Sequence, residues 1–126
     1  KMIVNMIGAV QIASLAEGMA LAERAGLDLR QVAAAIATGP AASPQVVRNA
    51  QRICDDDHER NVVFTPLLRL KDVVYALKFA ESLGIKNAFA QVAASQLREL
   101  IEMGHAGANE SKIIEVARSS ASLTTV

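Results

Sequence analysis

The chain has 126 residues, 52% hydrophobic and 21% charged, with 13 Lys plus Arg balanced by 13 Asp plus Glu. Length and composition suit one folded domain and exclude a disordered chain. Zero net charge argues against a nucleic-acid or anionic-membrane surface. The single cysteine (Cys54) excludes an internal disulfide, and His58 and His105 stand too far apart for a zinc site, so no metal is expected. With no Trp, one Tyr and three Phe, the core must be built from Ala, Leu, Ile, Val and Met.

The chain opens on Lys1 rather than Met, which reads as a domain cut from a longer protein. The uncharged stretch 2–16 is short for a bilayer and is interrupted by Asn5, Gln11 and Ser14, so no targeting or membrane role is expected. Residues 1–25 form a first helix ending at Gly26. It is ~37 Å long at 1.5 Å per residue. Its apolar residues face almost every direction, as in a buried helix, and its length suits a helix serving two neighbours. Asp28 with Gln31 resembles a capping box opening a second helix, which Gly39-Pro40 closes. Ser43-Pro44 opens a third, running towards Cys54, and Thr65-Pro66 opens a fourth that Gly84 ends. Leu70, Val74 and Leu77 share one side of that helix and are expected to be its buried face. Asn87 can cap a fifth helix, striped by Phe89, Val92, Ala93, Leu97, Leu100 and Ile101 and stopped at Gly104. Asn109 or Ser111 starts a short sixth around Ile113, Ile114 and Val116. A frayed tail is expected at 119–126. No run has strand periodicity, so the fold class is all-α, a multi-helix bundle over residues 1–118.

The sequence has no G-x-G-x-x-G, P-loop, H-E-x-x-H or nucleophile elbow. A helical domain without a phosphate cradle must leave most of any nucleotide binding to another domain. Asp55-Asp56-Asp57 lacks the spacing of a calcium loop and reads as a solvated helix end. Cys54 reads as a small core residue and His105 as a loop residue. Lys1 and Asn5, four apart on one face of a greasy helix, could grip an anionic or carbonyl substrate, the ammonium donating a proton to a developing alkoxide. Spacing alone favours a solvated lysine at a helix end. Phe64 and Lys71-Asp72 form a second polar cluster, which by pattern alone reads as ordinary surface charge.

The order Lys1-Met2-Ile3-Val4-Asn5-Met6, Ala16-Glu17-Gly18-Met19-Ala20-Leu21-Ala22 and Gly26-Leu27-Asp28 resembles the start of the C-terminal helical domain of the β-hydroxyacid dehydrogenases. These include 3-hydroxyisobutyrate dehydrogenase, tartronate semialdehyde reductase and glyoxylate/succinic semialdehyde reductase. Phe64, Leu68, Lys71-Asp72-Val73, Ala76-Leu77 and Gly84 resemble the second signature of that family, and Gly104, Gly107 and Ser111 fit its end. The resemblance covers essentially the whole chain. It implies a bundle like the C-terminal domain of 6-phosphogluconate dehydrogenase, with a long interdomain helix at its N-terminus. It implies NAD or NADP bound mainly by an N-terminal Rossmann domain, over which this substrate and dimerisation domain closes.

Residue by residue, the resemblance implies Lys1 as general acid/base and Asn5 as the residue orienting lysine and substrate. It implies Asp72 on the substrate side and Phe64 and Lys71 on the cofactor side. Val4 stands where the hydroxyisobutyrate type has the first of two asparagines, which leans towards the glyoxylate/succinic semialdehyde type. Ala88 stands where many members have Pro. The expected activity is NAD(P)-dependent interconversion of a small β-hydroxyacid and its semialdehyde or ketone, by a cytoplasmic homo-oligomer, with this piece inactive alone. The competing expectation is a non-catalytic helical interaction module.

Overall fold

Three of the helices start on a side chain that the sequence marks as a cap. Asp28 accepts from the Arg30 N–H at 2.9 Å, Ser43 from that of Val46 at 3.3 Å, and Thr65 from that of Leu68 at 3.2 Å. Each satisfies a first-turn donor that has no partner within its own helix. The computed structural model describes residues 1–120. The helices are α1 (Met2–Arg24), α2 (Leu29–Thr38), α3 (Pro44–Asp55), α4 (Pro66–Ser82), α5 (Ala88–Glu102) and α6 (Ile114–Ser120). A 3-10 turn at Glu110–Ile113 leads into α6, and no strand occurs among the described residues. Ser119 and Ser120 close α6, while residues 121–126 of the expected tail lie outside the described residues.

Two caps differ from expectation. The Asp28 cap is made to Arg30 rather than as a reciprocal box with Gln31. Asn87 precedes α5 but makes no side-chain cap; its Nδ2 donates instead to the Met6 sulfur at 3.2 Å.

α1 runs through the middle of the bundle, with α3, α4, α5 and α6 around it and α2 lying against α1 and α3. Its buried residues include Ala9, Ile12, Ala13, Leu15, Ala16, Met19 and Ala20, and they meet Ala90, Ala93, Ala94, Leu97 and Leu100 of α5 in one cluster. Alanine faces make shallow ridges, so packed helices can lie close and a core forms without aromatics. None of the four aromatic side chains belongs to it: Phe64 is half-buried, while Tyr75, Phe79 and Phe89 are exposed. By length and hydropathy α1 could cross a membrane, yet it supplies the centre of the core.

Alanine packing also shifts the expected stripes. The buried line of α5 excludes Phe89 and Val92, which are 79% and 54% exposed, because the helix turns its alanine side inward. On α4 the buried line is Pro66, Arg69, Val73, Ala76 and Ala80, one residue away from Leu70, Val74 and Leu77, which are half-buried. α1 is not buried all round either: Ile3, Val4 and Ile7 are exposed at its N-terminal end.

Between α3 and α4 the chain runs irregularly. Asp56, with φ 50°, ends α3 in the left-handed region that glycine fills elsewhere, and Asn61 shares that φ. Polar side chains of this kind tolerate such a φ better than most. Arg52 gathers this loop by donating to the carbonyls of Asp57 (3.1 Å), Arg60 (2.8 Å) and Asn61. The loop thereby delivers Phe64 to the start of α4.

Candidate active site

The N-terminal turn of α1, the end of this loop and the first turns of α4 enclose an open cleft of about 540 Å³. Its lining contains Lys1, Asn5, Phe64, Lys71 and Asp72, with Met2, Leu68 and Tyr75 completing the walls. All five residues singled out from the sequence therefore face one space, although 67 positions separate Asn5 from Asp72. Lys1 and Lys71 are exposed, while Asn5, Phe64 and Asp72 are half-buried. Asn5 Nδ2 donates to Asp72 Oδ2 at 2.9 Å. That bond fixes the amide plane and leaves Asn5 Oδ1 as an acceptor on the face shared with Lys1.

Behind the cleft lies an ion pair that sequence reasoning missed. Arg69 and Glu110 are 3% and 2% exposed, joined by Nε to Oε1 at 2.7 Å and Nη2 to Oε2 at 2.9 Å. Arg69 Nη1 donates to the Asn5 carbonyl at 3.1 Å, and its guanidinium carbon sits 4.0 Å from the centre of the Phe64 ring. Nη2 also donates to Gln45 Oε1 at 3.2 Å, and the Glu110 N–H donates to the Phe64 carbonyl at 2.8 Å. Gly8 makes room for this group, since a Cβ there would lie 2.7 Å from Gln45 Nε2 and 2.9 Å from Arg69 Nη1. The signal was an arginine in register with Val73, Ala76 and Ala80 on the buried line of α4; Glu110, in a 3-10 turn, gave none.

A second buried group lies below the first. Asn109 Nδ2 donates to Asn49 Oδ1 at 3.0 Å and to Ser111 Oγ at 2.9 Å, and Ser111 Oγ is 2.7 Å from His58 Nδ1. His58 Nε2 is 3.4 Å from Asp56 Oδ1, so Asp, His and Ser stand in a row. Ser111 is fully buried and His58 only 2% exposed, so no substrate reaches either. Burial pushes the His58 imidazole below its ordinary range, with Lys112 acting the same way and Asp56 opposing both. The neutral ring thus ties loop to turn, with the His58 carbonyl accepting from the Asn109 N–H at 2.7 Å.

The remaining candidates behave as structure. Cys54 is half-buried against the core and its Sγ lies 3.5 Å from the Leu29 carbonyl; burial pushes the thiol up, away from the nucleophilic thiolate. Asp55 pairs with Arg30 at 2.7 Å, which with Gln51 holds its carboxyl below the usual range. His105 lies in the turn after α5. No cluster of metal-ligating side chains occurs among the described residues. A hollow of about 380 Å³ beside the C-terminal half of α1 is lined by the Arg118–Glu23 ion pair at 2.8 Å and by Glu17, which accepts from Gln96 Nε2 at 3.0 Å.

Residues 1–117 match the family described as NAD-binding of NADP-dependent 3-hydroxyisobutyrate dehydrogenase. The chain belongs to that family. Two solved 3-hydroxyisobutyrate dehydrogenases share its fold. The Salmonella typhimurium protein aligns with a TM-score of 0.87 and 24% identity, over 92% of this chain and 40% of that one. The Mycobacterium tuberculosis protein, with L-serine, aligns with a TM-score of 0.82 and 24% identity, over 94% of this chain and 42% of that one. This family member thus spans about two-fifths of the length of either. No curated protein matches it in sequence.

Proposed function

We propose that this chain is the helical half of an NAD(P)-dependent oxidoreductase that interconverts a small β-hydroxyacid and its semialdehyde or ketone. The observation that carries the reading is the convergence of Lys1, Asn5, Phe64, Lys71 and Asp72 on one cleft. An apolar ring face and a cation on the same wall suit a nicotinamide cofactor, so Phe64 and Lys71 would hold its exposed edge. When bound, that cofactor supplies or accepts hydride at the substrate carbon.

The proton belongs to this chain. Lys1 Nζ–H donates to the substrate oxygen as it becomes an alkoxide, and the neutral amine takes the proton back in the oxidative direction. Asn5, held by Asp72, orients lysine and substrate. The substrate carboxylate meets Lys1 and Lys71, the cationic side of the cleft. The absence of an asparagine at Val4 favours a glyoxylate or succinic semialdehyde type of substrate.

A Rossmann domain preceding Lys1 completes the binding of NAD or NADP, and the chain alone is inactive. The apolar side chains around the N-terminal end of α1 and on α5, among them Val4 at 68% and Phe89 at 79% exposure, suit burial against that domain and a second copy in a cytoplasmic oligomer. In the full-length enzyme Lys1→Ala should cut turnover by about 10²–10⁴-fold while sparing cofactor affinity. Retained turnover overturns the assignment of Lys1.

A further inference from the structure

We propose that the buried Arg69–Glu110 pair is a positioning device that holds both walls of the cleft in register from behind. The inference rests on the catalytic reading of the cleft given above. A buried ion pair contributes little net stability compared with apolar side chains of the same volume, so its presence calls for another reason. Here the reason lies in where its bonds end.

Four bonds leave the Arg69 guanidinium: two to Glu110, one to Gln45 and one to the Asn5 carbonyl. The guanidinium carbon sits over the Phe64 ring, 4.0 Å from its centre, and the Glu110 N–H donates to the Phe64 carbonyl. The pair therefore touches the α1 turn bearing Asn5 and the loop end bearing Phe64, the substrate and cofactor sides of the proposed site. Neither Arg69 nor Glu110 lines the cleft itself. They act through Asn5 and Phe64, as positioning residues. Gly8 belongs to the device as the notch through which the guanidinium reaches α1.

The test is the double variant Arg69→Met/Glu110→Leu in the full-length enzyme, which replaces the pair by apolar side chains and leaves no charge unpaired. It is expected to melt close to the parent, with kcat lowered by ~10–100-fold as the reacting groups lose registration. It should also show a several-fold weaker affinity, by direct titration, for whichever of NADH and NADPH the parent binds, and a displaced limb in the pH profile of kcat/KM. A loss of folded protein alone would lower the apparent kcat and move neither the affinity nor the profile. Parent-like affinity for that reduced cofactor and a parent-like pH profile in the folded variant overturn the proposal.

Should the double variant not fold, Glu110→Asp gives the same decision, since it keeps the charge and draws Arg69 back by one methylene. Lys1→Ala is measured alongside. If it retains turnover, the catalytic reading fails; if it is dead while the Arg69 and Glu110 variants behave like the parent, only the positioning role fails.

Discussion

The two ends of α1 are built for different purposes. From Ile12 to Ala22 the helix turns one broad face into the core, with Met19 and Ala16 almost without exposure, while Ser14, Glu17 and Leu21 stay exposed on the other. From Met2 to Ile7 it leaves Ile3, Val4 and Ile7 exposed, while Asn5 turns its side chain to the cleft and its carbonyl accepts from Arg69. One end is held by apolar packing; the other is held by directed hydrogen bonds. Packing sets where the helix lies, and directional bonds set how its first turn is oriented, which is what a reacting group needs.

That contrast can be broken in graded steps. Glu110→Ala leaves the Arg69 charge buried and unpaired, and should destabilise the fold by about 3–5 kcal/mol in denaturant titration. Met19→Ala attacks the packed end alone and should cost about 2–5 kcal/mol, with the cleft residues undisturbed. At the open end, Val4→Ala should change stability by no more than about 0.5 kcal/mol in the same titration. A large loss at Val4 would mean that the first turn is anchored by contacts beyond those described.

Acid supplies a milder test. The folded His58 has its proton affinity depressed by burial, so below the ordinary histidine value of 6.5 the unfolded chain binds the proton first. The stability gained by keeping the ring neutral is complete above that value and is lost as pH falls through the lowered folded value. The urea midpoint should therefore decline between about pH 7 and 5, before most carboxylates titrate. His58→Gln should flatten that decline while leaving the packed end of α1 as it was.

Much of this was legible in the sequence because helix starts are local chemistry. Ser43-Pro44 and Thr65-Pro66 fix α3 and α4 whatever surrounds them, and Gly26, Gly84 and Gly104 end their helices in the left-handed region. The cleft lining was reached through the resemblance, since spacing alone left Lys1 and Lys71 as plain surface charges. The support behind it was not legible. Scanning for large apolar residues selected Leu70, Val74 and Leu77, whereas α4 buries the adjacent line containing Arg69. On α5 the same scan found Ala93, Leu97 and Leu100, which are buried, but added Phe89 and Val92 in place of Ala90 and Ala94. In a core this rich in alanine, size misleads and register decides.

The loop gathered by Arg52 has one more consequence. Residues 56–65 are the longest stretch between α-helices before the turn at Glu110, and Arg60 within it, with Arg52 in the last turn of α3, makes it look like the natural point of attack for trypsin. A protease needs its target arginine extended in its own pocket with several flanking residues peeled away. Arg52 is instead the hub on which three carbonyls of the loop close, so cutting after it requires the loop to come apart first. Resistance to nicking at this seam thus reports the integrity of the path that carries Phe64 to the cleft.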